Sequence, residues 1–179
     1  MNIIKTLIVT LFLVTGFTEL HAQDSKASQE LDTIAIKIFE SVNNKDFDTL
    51  LDMTYPKLFE IVPKESMLPI IKSMFEGNDE FAIEIPNEIP NYKLSDVYKD
   101  EETKADYAFL SYDLKMKMTF NNKTFSDEQK ETMKKMMKIQ GMDVEFLSTN
   151  TLNVLMKDRL IIFIKDDSTN KSWKTLNYD

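Results

Sequence analysis

The 179-residue chain has a formal net charge of −8, a single histidine and no cysteine. Such an acidic surface repels phosphate backbones and anionic headgroups, and no stripe of Lys or Arg offsets it, so neither nucleic acid nor a membrane is an expected partner. Without thiols, and with imidazole confined to His21, the chain lacks the residues for disulfides, cysteine nucleophiles, histidine triads, ordinary zinc sites and haem or iron–sulfur ligation.

Lys5 followed by the apolar run Thr6–Phe17 and the small residue Ala22 has the form of a secretory signal. The run is too short for the roughly 20 residues that a spanning helix needs. Cleavage after Ala22 is expected, which also removes His21 and leaves one domain over 23–179. No cysteine follows to carry a lipid, so periplasmic or secreted residence is expected.

Leu31, Ile34, Ala35, Ile38, Phe39 and Val42 recur at spacings of three and four, the apolar stripe of an amphipathic helix. Asn43-Asn44-Lys45 ends it. A second helix is predicted from Asp46, with Phe47, Leu50 and Leu51 inward, up to Tyr55-Pro56, where the proline disfavours helix in its predecessor. A third ends at Gly77. It begins either at Ser66, with Pro69 in the first turn, or at Pro63, with Pro69 inside.

From Glu80 the apolar period changes to two. Phe81, Ile83 and Ile85 alternate, 92–100 reads as one strand, and 104–120 as a long one. In the long strand Ala108, Leu110, Tyr112, Leu114, Met116, Met118 and Phe120 share a face. Tyr107, Phe109, Ser111, Asp113, Lys115 and Lys117 occupy the other. After Asn121-Asn122-Lys123 a methionine-rich helix opens on a Ser126/Gln129 capping box and stops at Gly141. Three further strands are predicted: one within 143–156, one at "RLIIFIKD" and one at "KSWKTLNY". The loop Asp167-Ser168-Thr169-Asn170 separates the last two. Helices followed by a strand meander predict an α+β fold.

The segment "NNKDFDTLLDMTYPKLFEIV", with Asp46-Phe47-Asp48 and Tyr55-Pro56-Lys57, together with Trp173-Lys174 in the last strand, resembles the nuclear transport factor 2-like superfamily, in its uncharacterised exported bacterial branch. The resemblance covers most of residues 28–178. It implies a cone in which a strongly bent antiparallel sheet wraps around N-terminal helices. Enzymes of that superfamily rely on buried Asp, His or Tyr groups inside the cone. In this chain Asp113 is the carboxylate on a pocket-forming strand, with Tyr112 or Tyr107 as the accompanying hydrogen-bond donor of a small lyase or isomerase.

Tyr55, Phe59, Phe109, Tyr112 and Trp173 are expected to converge on an aromatic-lined cleft for an apolar ligand; packing into a core is the alternative for each. Met116, Met118, Met133, Met136 and Met137 present soft thioethers suited to copper(I) or silver(I), and the same spacing suits a core-facing stripe. The acidic clusters Asp100-Glu101-Glu102 and Asp166-Asp167-Ser168-Asn170 lack the spacing and glycine of an EF-hand loop and read as solvated turns. Three glycines in the chain leave no phosphate-cradling loop. The sequence therefore favours an exported, non-enzymatic domain that binds an apolar small molecule or a protein partner. A homodimer is compatible with that reading, and no cofactor is expected.

Overall fold

The computed structural model describes residues 26–177, so the expected signal segment 1–22 lies outside the described residues. Helix α1 covers 26–43. It is followed by α2 (Phe47–Met53), a 3-10 turn η1 (Pro56–Glu60) and α3 (Lys64–Glu76). The short strands β1 (Phe81–Glu84), β2 (Tyr92–Leu94) and β3 (Tyr98–Asp100) lead into the long β4 (Ala105–Phe120). Then come α4 (Asp127–Ile139), β5 (Met142–Phe146), the long β6 (Thr151–Lys165), the turn η2 (Asp167–Thr169) and β7 (Lys174–Asn177). The seven strands form one antiparallel sheet that is not closed into a barrel, and the fold is α+β as expected.

Each helix boundary has a local cause. Lys45 takes a left-handed φ of 55° after α1, and the Asp46 carboxylate then accepts the Thr49 N–H at 3.1 Å to cap α2. Helix α3 begins at Lys64, after Pro63 and not at Ser66, and has no side-chain cap, so Pro69 lies inside it. The capping box of α4 forms as predicted, with Ser126 Oγ accepting the Gln129 N–H and Gln129 Oε1 accepting the Ser126 N–H.

Strands β4 and β6 form the spine, paired from Asp106↔Lys165 to Thr119↔Thr151. The edge beyond β4 is made of β3, β2 and β1 in turn, and the edge beyond β6 of β7 and β5. The stretch predicted as a single strand over 92–100 is therefore two. Its break lies at Ser95, whose hydroxyl accepts the Phe109 N–H at 2.9 Å, a ladder bond that a backbone carbonyl would otherwise take. The run predicted to break between "TLNVLM" and "RLIIFIKD" is, conversely, one strand.

A β-bulge at its centre makes that continuity possible. Tyr112 faces Arg159 and Leu114 faces Met156, so Lys157 and Asp158 together oppose Asp113. Asp158 adopts φ 53° and donates its N–H to Asp113 Oδ1 at 3.1 Å. One extra residue inverts the alternation of a strand. Leu152, Val154 and Met156 therefore share a face with Ile161 and Phe163, although their spacing alone puts them on opposite sides. A bulge also bends its strand.

The helix-bearing face holds the core. Leu31, Ala35, Ile38 and Phe39 of α1 pack with Ala108, Leu110, Ile161, Phe163 and Trp173. Burying each of the larger of these side chains stabilises the fold by roughly 1.5–3 kcal/mol. Beyond the bulge, Leu152 and Val154 are buried, and Phe125 fills the same end of the sheet, its ring 5.0 Å from Phe120 and 5.7 Å from Phe146. Helix α4 packs beside β5, fastened by the Lys138–Asp143 ion pair.

Candidate functional site

Between the core and the α4 end, the helix-bearing face is not filled. A cavity of about 830 Å³ lies between α1, α2, α3 and the sheet, within the range that encloses a drug-sized molecule. Its floor comprises Ile83, Tyr112, Leu114, Met116 and Ile161, and its walls comprise Ile38, Phe39 and Val42 of α1, Leu50 and Leu51 of α2, and Met67, Ile71, Met74 and Phe75 of α3. The loop 85–91 closes the remaining side with Ile85, Pro86, Ile89 and Pro90.

The opening has a sequence cause. On its outer edge β4 pairs with β1 up to Lys117 and with β2 from Tyr112 onward, which leaves 113–116 without an edge partner. The intervening "IPNEIPN" (85–91) carries two prolines that lack the N–H a ladder requires, so the edge cannot continue. Glu88 turns back instead, its N–H donating to the Pro86 carbonyl at 2.8 Å.

Helix α3 is the least anchored wall: none of its residues is fully buried. Pro69 removes one backbone donor from its interior and leaves the Glu65 carbonyl without its helical partner. It is held at its ends, by the Lys64–Asp52 ion pair, by Lys45 Nζ donating to the Phe75 carbonyl at 3.3 Å, and by the Phe47–Phe75 ring contact at 5.2 Å. Gly77 ends it with φ 82°, a conformation that costs glycine little. Ile61, Val62, Ile70, Met74 and Ile89, on and around α3 and the loop, are exposed.

Polar groups gather at the margin. Thr54 Oγ1 donates to the Leu50 carbonyl, Thr175 Oγ1 to the Met53 carbonyl and Asn43 Nδ2 to the Glu88 carbonyl. The side chains of Asn91 and Asn177 make no hydrogen bond within the described residues. Behind the Phe39 wall, the Tyr92 hydroxyl donates to Asp32 at 2.5 Å. Burial, reinforced by that carboxylate, pushes its pKa up to about 12, so Tyr92 remains a neutral donor at any physiological pH.

The five aromatics predicted for the cleft are not brought together. Tyr112 alone lines the cavity. Tyr55 donates its hydroxyl to Asp166 at 2.7 Å, away from the cavity lining. Phe59 is half-buried in η1, whose neighbouring residue Leu58 is the one that reaches the cavity. Phe109 lies on the other face of β4 against Tyr98, with ring centroids 5.8 Å apart. Trp173 belongs to the core, with Lys165 Nζ 5.4 Å from its ring centre. The residues that line most of the cavity, Met67, Ile71 and Met74 among them, form an ordinary amphipathic stripe in the sequence, and periodicity cannot tell a wall from a packed core.

Asp113 is exposed at the cavity margin and engaged by the Asp158 backbone. A carboxylate base of the expected kind needs burial to raise its pKa, and alternation along β4 places Tyr112 on the opposite face. The methionines also divide. Met116 lines the cavity, Met136 is 60% exposed, and Met133 and Met137 are half-buried on α4. Lys130, on the same side of α4 as Met133 and Met137, lies 5.9 Å from the Phe146 ring centre. Both acidic clusters form turns. The Asp100 carboxylate accepts from Glu102 and Thr103, and Asp166 caps η2. Among the described residues no group of three or more His, Cys, Asp or Glu is arranged to hold a metal ion.

A second depression, of about 580 Å³, occupies the outer face beside β5. Two of the three carboxylates lining it are already met by cations: Glu84 by Lys117 at 2.7 Å, and Asp143 by Lys138 and Lys157. The larger cavity, apolar and without such pairing inside it, is the candidate site. Compared with family models, curated proteins and solved structures, the chain matches none.

Proposed function

We propose that this protein is an exported, non-enzymatic binding domain of the nuclear transport factor 2-like kind that holds an apolar small molecule between its helices and the bent sheet. One observation carries the reading: a cavity of about 830 Å³ whose floor and walls are almost wholly aliphatic, aromatic and thioether side chains, with polar groups only at the margin. Water held against apolar walls of that extent is unfavourable, so an occupant that takes this surface out of water is bound favourably. The direct test is thermal unfolding of the purified protein with and without long-chain apolar compounds. The reading expects the midpoint to rise with ligand concentration, as binding to the native state requires. No shift with any such compound contradicts it.

A second reading, a protein partner or a second copy of the chain, draws support from the opposite face of the sheet. Tyr98, Tyr107, Phe109, Leu160 and Ile162 follow one another there across β3, β4 and β6, and Tyr98 is 56% exposed. Sedimentation equilibrium distinguishes the two. Concentration-dependent association that Phe109→Glu abolishes favours this reading, and a monomer at all concentrations removes the second-copy form of it.

A further inference from the structure

The cavity lining also bears on what kind of apolar molecule fits, a step that rests on the small-molecule reading above. A planar ring system is held best between aromatic faces placed to receive it. The aromatic rings lining this cavity are already engaged with the protein. Phe39 contacts Tyr112 edge-on at 5.3 Å and Tyr92 at 5.6 Å, and Phe75 contacts Phe47 at 5.2 Å. What faces the space otherwise is branched aliphatic and thioether, including Met67, Met74 and Met116. Unbranched methionine side chains adapt to irregular and mobile shapes.

At the margin the charged side chains are Glu88, Asp113 and Lys115, two acids against one base on a chain of net charge −8. An anionic head placed there is repelled by more charge than it is attracted by. Asn91 and Asn177 each offer an uncommitted donor and acceptor. We infer that the cavity takes a flexible aliphatic chain, acyl or prenyl, ending in an uncharged polar head, in preference to a planar polycycle or a fatty carboxylate.

The test measures dissociation constants of the purified protein for octanol, decanol and dodecanol, for dodecanoate, and for a rigid polycyclic sterol. Affinity is expected to increase about fourfold per added methylene until the chain fills the space. Dodecanol is expected to bind more tightly than dodecanoate and than the sterol. Ile71→Trp and Met116→Trp fill the cavity from opposite walls, and each is expected to weaken dodecanol by roughly tenfold or more. Far-UV circular dichroism identifies a variant that does not fold, and the other then carries the comparison. A sterol or carboxylate that binds more tightly than the alcohol, or an affinity independent of chain length, overturns this assignment and leaves the small-molecule reading standing. Failure of every apolar probe to bind overturns both.

Discussion

Tyr55 and Asp166, 111 residues apart, are joined by a 2.7 Å hydrogen bond in which the phenol donates to the carboxylate. It ties the turn after α2 to the turn before β7. The Asp166 carboxylate is a hub: Ser168 Oγ donates at 2.6 Å and the Thr169 N–H at 3.1 Å, and Lys57 Nζ lies 3.9 Å away. The Tyr55-Pro56-Lys57 segment, read from sequence as a helix terminator, thus also supplies two of the four groups gathered on this acid. A hydrogen bond to a charged group contributes about 1.5–3 kcal/mol, so Tyr55→Phe is expected to destabilise by about 1–2 kcal/mol in urea unfolding at neutral pH.

The same hub makes stability depend on pH. Burial alone raises the pKa of Asp166, but hydrogen bonds from Ser168, Tyr55 and Thr169 and the charge of Lys57 outweigh it and hold the pKa below its ordinary 3.8. A depressed carboxylate stabilises the fold above its unfolded value, and the contribution is lost as pH falls through the folded value. The stability gap between the native protein and Asp166→Asn is therefore expected to be widest at neutral pH and to close below about pH 3.8. Urea midpoints at neutral pH and at pH 3 measure it; a gap that persists unchanged in acid contradicts this account of the hub.

At the bulge, Asp158 holds a left-handed backbone that most L-residues enter at a cost of roughly 1–2 kcal/mol. Replacement by glycine removes that strain, so Asp158→Gly is expected to be neutral or to stabilise by up to about 1 kcal/mol. Asp158→Val is expected to cost about 1–2 kcal/mol. Asp113→Ala, which leaves the Asp158 N–H to exposed surroundings, is expected to cost under about 1 kcal/mol. Chemical denaturation of the three variants checks the ranking.

Trp173 is 6% exposed, and its indole N–H has no hydrogen-bond partner among the described residues. A buried donor without a partner costs about 1–3 kcal/mol. Trp173→Phe removes it together with some volume, and the two effects oppose. The substitution is expected to cost less than about 1.5 kcal/mol, whereas Trp173→Ala, which also opens a cavity, is expected to cost about 3–5 kcal/mol. As the sole tryptophan, Trp173 reports unfolding of the native chain by fluorescence; the variants require circular dichroism.

What could be read from the sequence follows from how local each signal is. The stripe Leu31–Phe39, the helix start at Asp46 and the Ser126/Gln129 box depend on neighbours three or four residues away, and all three form as predicted, with the Asp46 carboxylate found to cap its helix. The bulge could not be read in this way. Val154 and Met156 alternate with one parity and Ile161 and Phe163 with the other, so the polar pair Lys157-Asp158 reads as a break unless the partner strand is known. The cavity was illegible for a related reason. Met67, Ile71 and Met74 carry the same period whether the space they face is filled or empty, and only tertiary packing decides. A legible hint was available in the paired prolines of 85–91, which stop the sheet edge where the cavity opens.

The central claim, that an apolar molecule enters this cavity and displaces water from its lining, is tested most directly by calorimetric titration with dodecanol at several temperatures. Burial of apolar surface gives a negative heat-capacity change of binding. The account expects saturable binding with a clearly negative change, lost in whichever of Ile71→Trp and Met116→Trp remains folded. Binding that shows no heat-capacity change, or that survives intact in a folded filled-cavity variant, contradicts it.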